Sequence, residues 1–359
     1  MNFKNEVILV MWIIVTFVSC RNTSNQSLSN YKSENITILT KDSVRLEGTL
    51  TLPLLNIKKG KVVILVSPSI SKNREYFGSH IVDSLASHGI VALRFDNRGT
   101  GKSSESKKPV SLYTQADDVI EWLNYLKTRK DINSNKIGLM GHSEGCCSAQ
   151  VVASQPGRVA FLVLLASPGI GGWTEHEYFV KKNWEIKELK NKTSYQDSLL
   201  NDINFQKPLF DILDRYDNTD SIVKHISYFV ITWVYKEYGK LSYNEKIARF
   251  KYYVAPWVIM QQVALKKFQP QLYLSKIKCP VLALNGTLDY KLECNPNLKM
   301  IEESLKANGN NNVTTIALEG VDHSFHTTKL KNGLPYLSIP HEKFSQKALN
   351  IITEWILKQ

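Results

Sequence analysis

The chain has 359 residues, 43% of them hydrophobic and 22% charged, with a formal net charge of +12. That is an ordinary globular composition, long enough for one large or two small domains, and no internal repeat or low-complexity tract interrupts it. The basic excess would suit a nucleic-acid or anionic-membrane surface, but the lysines are scattered, and the densest group (Lys181, Lys182, Lys187, Lys190, Lys192) alternates with Trp184, Ile186 and Leu189, as on the polar face of an amphipathic helix.

The N-terminus opens with a short polar stretch, Met1 to Glu6, followed by an uncharged apolar run, Val7 to Val18, broken only by Thr16. The run is too short to span a bilayer and suits the core of a signal peptide. It ends in Phe17-Val18-Ser19-Cys20, which resembles a bacterial lipobox and makes Cys20 the candidate lipidation site, although Phe17 stands where leucine is usual. An ordinary secretory signal with a nearby cysteine is the alternative. Either reading puts residues 1–20 in a signal peptide, residues 21–35 in a flexible tether, and the mature protein in the cell envelope or outside the cell. Of the other cysteines, Cys146 and Cys147 open a helix and are not expected to bond to each other, whereas a Cys279–Cys294 bridge stays open. No Cys/His spacing predicts a metal site, and no cofactor is expected.

Ile36–Thr40 and Leu46–Pro53 flank the polar turn Lys41-Asp42-Ser43 and predict a hairpin at the antiparallel edge of a sheet. Val62–Val66 is a continuous apolar strand, as expected where both faces are buried. A helix from about Glu75 to His88 ends at Gly89, which suits a left-handed terminus, and a strand follows over Ile90–Phe95. The next turn, Asp96-Asn97-Arg98-Gly99-Thr100-Gly101-Lys102-Ser103, imitates the tail of a phosphate-binding loop. It has Asp96 where that motif needs glycine, and it leads into a polar loop, so nucleotide binding is rejected. Gln115–Thr128 predicts a helix with Val119, Trp122, Leu123 and Leu126 on one face. Then Lys136-Ile137-Gly138-Leu139-Met140 reads as a buried strand, Gly141-His142-Ser143-Glu144-Gly145 as a sharp turn, and the residues from Cys146 as a helix.

Phe161–Ala166 is a further strand, and the alternation stops at Ser167-Pro168-Gly169. Residues 169–274 are helix-like and rich in aromatics, and are too long for a simple connection. They predict a helical cap, whose aromatics are assigned to its own core. The alternation resumes with a strand over Pro280–Asn285, a helix over Pro296–Ala307, a last strand over Val313–Leu318, and a closing helix carrying Ala348, Ile351, Ile352, Trp355 and Ile356 on one face. The expected fold class is therefore α/β: a mostly parallel sheet flanked by helices, built from residues 36–168 and 275–359.

Three chemically matched groups lie just beyond strand ends, where ligands bind in open α/β sheets: Ser143, Asp289 and His323, in that order. Serine is a weak nucleophile until a base takes its proton, and the base needs a carboxylate to orient it. Asp322 and His326 are rivals for the acid and base, and His142 sits inside the turn and should point away. Glu144 follows the nucleophile directly, so its backbone N–H is the expected oxyanion donor. The second donor should come from Ser67-Pro68-Ser69-Ile70-Ser71, where Pro68 has no N–H; Ser69 is preferred over Ile70.

The turn at Ser143, the Asp96–Ser103 turn, Asn285-Gly286-Thr287-Leu288-Asp289 and Asp322-His323-Ser324-Phe325 together resemble the serine aminopeptidase-like branch of the α/β-hydrolases, which includes bacterial carboxylesterases similar to esterase D. The resemblance runs from about Thr37 to Leu357 and is weakest through the cap. It implies a serine esterase acting on a small-molecule ester. The alternatives are an aminopeptidase or acylaminoacyl peptidase with the same three residues, in which Glu175, Glu177 or Glu185 would anchor an amino group, and a non-enzymatic binding protein on a hydrolase scaffold.

Overall fold

The computed structural model describes residues 31–54, 60–69, 72–107, 110–191, 195–258, 260–327, 330–331, 334–335 and 344–359. The expected signal peptide, Cys20, Ile70 and most of the tether lie outside these residues.

The short apolar runs of the sequence become the inner strands of one eight-stranded sheet. Its strands are β1 (Tyr31–Leu39), β2 (Arg45–Pro53), β3 (Val62–Val66), β4 (Val91–Phe95), β5 (Ile137–His142), β6 (Leu162–Leu165), β7 (Val281–Gly286) and β8 (Val313–Leu318). The spatial order is β1-β2-β4-β3-β5-β6-β7-β8, with β1, β2 and β4 paired antiparallel and all pairs from β4 to β8 parallel. Burial on both faces explains the unbroken hydrophobicity. Val62, Ile64 and Val66 face one core with Leu139, Leu162 and Leu164, while Val63 and Leu65 face the other with Met140, Val163 and Leu165. Helices α2 (Leu112–Thr128), α3 (Glu144–Ala153) and α10 (Cys294–Lys306) cover the first face. Helices α1 (Gly78–Ser87) and α11 (Gln346–Lys358) cover the second.

Three boundaries differ from expectation for local reasons. Strand β1 begins at Tyr31, so the last residues assigned to the tether are structured. Its whole length pairs with β2, from Tyr31 opposite Pro53 to Leu39 opposite Arg45. As a half-exposed edge strand it keeps polar side chains, which hid it. The helix expected from Glu75 is split: a 3₁₀ turn over Arg74–Phe77 ends at Gly78 (φ 69°), and α1 follows. Helix α2 starts at Leu112 because Ser111 and Thr114 form a capping box, with Ser111 N–H donating to Thr114 Oγ1 at 2.7 Å.

The segment between β6 and β7 is helical: α4 (Gly172–Asn191), α5 (Tyr195–Arg215), α6 (Thr219–Glu237), α7 (Tyr243–Val258), α8 (Met260–Lys266) and α9 (Gln271–Leu274). Phe205, Leu209, Phe210, Ile226 and Val230 form a core within it. Phe268, at the end of this segment, packs with Leu112 and Cys147 of the main body. Cys146, Cys147, Cys279 and Cys294 are all free thiols, so the Cys279–Cys294 bridge is not formed.

Candidate active site

Strand β5 runs straight into α3, and the turn between them is Ser143, with φ 53° and ψ −125°. A non-glycine residue at positive φ is strained, and here the strain projects the hydroxyl from the strand end. The turn closes only because two neighbours lack side chains. A Cβ on Gly145 would sit 2.1 Å from the Val66 carbonyl oxygen, and one on Gly141 would sit 2.8 Å from Cys146 Cα. The Ser143 N–H donates to the Leu165 carbonyl at 2.9 Å, tying the turn to β6.

Ser143 Oγ lies 3.0 Å from His323 Nε2, and His323 Nδ1 lies 2.8 Å and 3.0 Å from the two oxygens of Asp289. His323 and Asp289 are 4% and 2% exposed, so this line of groups is shielded from water. A carboxylate only accepts, so Nδ1 carries the proton, and neutral Nε2 is left to accept from the serine hydroxyl. The loop after β7 is fixed by backbone: Asp289 Oδ1 also accepts the Lys291 and Leu292 N–H groups at 2.8 Å and 3.0 Å. It lies against the histidine loop at Gly286, where a Cβ would meet the Val321 carbonyl oxygen at 2.0 Å.

The rival groups have other partners. Asp322 Oδ1 accepts the N–H groups of Ser324 and His326, each at 2.9 Å, which shapes the turn that presents His323. His326 Nδ1 is 3.8 Å from Asp322 Oδ2. His142 points away from Ser143: its Nε2–H donates to the His323 backbone carbonyl at 2.8 Å, and its Nδ1 accepts from the Tyr76 hydroxyl at 2.6 Å. Burial, reinforced by His323, pushes the His142 imidazole down to about 3, so it stays neutral.

Glu144 is the first residue of α3, so its backbone N–H belongs to the unsatisfied first turn, at the positive end of the helix dipole. The Ser69 hydroxyl donates to the buried Glu144 carboxyl at 2.5 Å. The Glu144 side chain, which sequence reasoning left without a role, thus clamps the β3 loop to the turn. Burial raises its carboxyl, and the Ser69 bonds oppose that rise. The same loop is pinned from below. Asn97 Nδ2 donates to the Pro68 carbonyl at 2.9 Å, and Gln115 Nε2 donates to the Ser67 carbonyl at 2.8 Å and to Asn97 Oδ1 at 2.7 Å. The turn that imitated a phosphate loop is therefore scaffolding. Asp96 closes it by accepting the Lys102 N–H at 2.8 Å and an Arg74 guanidinium N–H at 2.7 Å.

A cavity of about 290 Å³ opens over Ser143 and His323. Its walls are largely apolar (Ile170, Phe179, Phe210, Leu265, Phe268 and Leu292), with Glu175, His176, Lys266 and Lys291 among them. Phe179, one of the aromatics assigned to the cap's own core, therefore also lines the site, as does Phe210. Helix α4 of the cap is bonded to the acid loop: the Tyr178 hydroxyl donates to the Asp289 backbone carbonyl at 2.8 Å. Asn297, fully buried in α10, accepts the Gly169 and Ile170 N–H groups at 2.7 Å and 2.9 Å, and its Nδ2 donates to Glu175 Oε2 at 2.8 Å. Burial pushes the Glu175 carboxyl up to about 7 and the Lys266 amine down to about 8. Nothing in the sequence marks Tyr178 or Asn297, or sets Glu175 apart from Glu177 and Glu185, because their contacts exist only once α4 lies on the body. Among the described residues no group of three or more His, Cys, Asp and Glu side chains could hold a metal ion.

Residues 59–233 match the family described as serine aminopeptidase, S33 (Hydrolase_4). That span includes Ser143 and stops short of Asp289 and His323. No curated protein sequence matches the chain. Among solved structures, esterase Pf2001 of Pyrococcus furiosus is similar at 16% identity and a TM-score of 0.55, with 91% of each chain covered. DcsB, solved with a substrate analogue, is 17% identical over 91% of this chain and 99% of its own, with a TM-score of 0.53. A bromoperoxidase from Bacillus anthracis is 15% identical over 91% of this chain and 100% of its own, with a TM-score of 0.50. At these identities the likeness is one of fold, and together with the eight-stranded, mostly parallel sheet it gives this chain the α/β-hydrolase fold.

Proposed function

We propose that the protein is a serine hydrolase that cleaves carboxylic esters through an acyl-enzyme. The observation that carries this reading is the unbroken contact from Ser143 Oγ through His323 to Asp289, with a 3.0 Å serine–histidine separation at the floor of the cavity. In this mechanism Ser143 attacks the ester carbonyl while His323 Nε2 takes its proton. Asp289 holds the imidazole in the required tautomer and stabilises the imidazolium. The oxyanion that forms is held by the Glu144 amide, a donor of a kind worth roughly 10²–10³ in rate. His323 then returns the proton to the leaving alcohol. Water, activated by the same histidine, releases the acid and restores Ser143, with no cofactor required. The apolar wall supports an uncharged acyl or alcohol group as the bound portion. The test is turnover of nitrophenyl esters of graded length by wild type and Ser143→Ala: the variant should lose hydrolysis and keep its fold, and retained turnover would refute the assignment.

A second reading keeps the three residues and cleaves an N-terminal amide. The family match and the acidic Glu175 in the cavity favour it, while Lys266 and Lys291 in the same cavity oppose binding of an ammonium group. Aminoacyl nitroanilides compared with nitrophenyl esters separate the two. We further propose attachment to the cell envelope through acylated Cys20. Palmitate labelling lost in Cys20→Ala supports this, and equal labelling refutes it.

A further inference from the structure

The imidazole of His142 is hydrogen-bonded at both nitrogens. Nε2 lies 2.8 Å from the His323 backbone carbonyl, and Nδ1 lies 2.6 Å from the Tyr76 hydroxyl. A carbonyl only accepts, so Nε2 carries the proton, Nδ1 accepts, and the tyrosine hydroxyl must donate. The two bonds therefore run in one direction, from Tyr76 through His142 to the main chain of His323. They join three separate parts of the fold. Tyr76 belongs to the 3₁₀ turn Arg74–Phe77 after β3, which is anchored where Arg74 donates to Asp96 from its backbone N–H at 2.8 Å and from its guanidinium at 2.7 Å. His142 ends β5, directly before the nucleophile, and His323 lies on the loop after β8.

That last loop is strained and depends on bonds from outside. Phe325, two residues beyond His323, is a fully buried non-glycine residue at φ 62°. Bonds within the loop hold the neighbours of His323: the Asp322 N–H donates to the His326 carbonyl at 3.0 Å, and the Phe325 N–H to the Asp322 carbonyl at 3.1 Å. The bond to the carbonyl of His323 itself comes from His142. A buried carbonyl left without a donor is costly, and a loop that turned to find another would carry Nε2 away from its 3.0 Å contact with Ser143 Oγ.

We propose that Tyr76 is a positioning residue for the reaction: by donating to His142 it selects the tautomer that holds the His323 main chain, and so keeps the base against the nucleophile. This rests on the serine-hydrolase reading above. Without the hydroxyl, the Nδ1–H tautomer becomes available and turns a lone pair toward the His323 carbonyl. Neither Tyr76 nor His142 is among the residues that line the cavity over Ser143, so the effect falls on the chemical step and not on substrate binding.

The experiment measures kcat and KM separately on a short-chain nitrophenyl ester, with urea unfolding of each preparation. Tyr76→Phe, which keeps the ring, should lower kcat about tenfold and leave KM within about twofold. His142→Leu should lower kcat at least as much, and Tyr76→Phe added to it should cost less than about threefold more, because the tyrosine acts only through the imidazole. His142→Gln, whose amide can donate to the same carbonyl, should retain a kcat several times that of His142→Leu. An unchanged kcat in Tyr76→Phe, a loss confined to KM, the same tenfold loss in the His142→Leu background, or equal kcat in His142→Gln and His142→Leu overturns the proposal. Hydrolysis by wild type and its loss in Ser143→Ala are read first. Their failure removes the hydrolase reading, whereas intact hydrolysis with an unchanged kcat in Tyr76→Phe removes only the role given to Tyr76.

Discussion

Replacing Gly145 by alanine tests how tightly the nucleophile is positioned. The added Cβ would sit 2.1 Å from the Val66 carbonyl oxygen, whereas real Cβ contacts essentially never fall below 3.0 Å, a shortfall of about 0.9 Å. The next obstacles, the Ser67 carbonyl oxygen and the Val66 carbonyl carbon at 2.8 Å, are also backbone, so no rotamer change relieves the clash. Val66 ends a fully buried strand held between β4 and β5, so it is the first turn of α3 that must move. A shift of that size takes the 3.0 Å contact from Ser143 to His323 out of hydrogen-bonding range. Misplacing reacting groups by about 1 Å costs on the order of 100-fold. Overpacking should also cost roughly 1–3 kcal/mol of stability. The assay is kcat/KM on a short-chain nitrophenyl ester, beside urea unfolding of the same preparation. A folded Gly145→Ala protein within threefold of wild type in activity, and unchanged in stability, would refute the reasoning.

Three further predictions concern groups around the site. Tyr178→Phe removes the cap's hydrogen bond to the Asp289 carbonyl, and kcat should fall about tenfold with a smaller change in KM; an unchanged kcat would show that α4 does not support the acid loop. The His142 imidazole is held near 3 in the folded state against about 6.5 unfolded, so its stabilising contribution is complete above 6.5 and is lost as pH falls from there toward 3. Unfolding free energy should therefore drop by up to about 2 kcal/mol between pH 6.5 and 5 on its account, and His142→Gln should flatten that slope; equal slopes would remove His142 as the cause. Glu175 has the opposite sign: its folded-state value is raised to about 7, so stability is complete below 4.5 and is lost as pH rises through 7. Glu175→Gln should accordingly melt higher than wild type at pH 9 and no higher at pH 4, and melting curves that are parallel across this range would contradict it.

The groups that meet at the site were legible because each follows a strand whose apolar run marks it as buried, and a parallel sheet brings the ends of such strands to one edge. Ser143, Asp289 and His323 lie far apart in sequence, yet β5, β7 and β8 set their positions. Side-chain roles that depend on loop packing were not legible. The Ser69 hydroxyl bonds to the Glu144 carboxyl, a contact between residues 75 apart that no local pattern encodes. The cap gave its helical character and little more. The segment was readable as helical, but not its individual helices or which face of α4 would meet the acid loop, so Tyr178 and Asn297 went unmarked and Glu175 was named only as one of three carboxylates. Strand β1 began earlier than expected because its first residues, Tyr31-Lys32-Ser33-Glu34-Asn35, are mostly polar and carry no apolar alternation to mark them as strand.

The central claim is that Ser143 is the nucleophile of an ester hydrolase, and a fluorophosphonate probe followed by peptide mass mapping tests it most directly. The account predicts a single covalent adduct on Ser143, formed at a rate that falls sharply in His323→Ala and is absent in Ser143→Ala. Failure of the folded wild type to label, or an adduct on another residue, would contradict it.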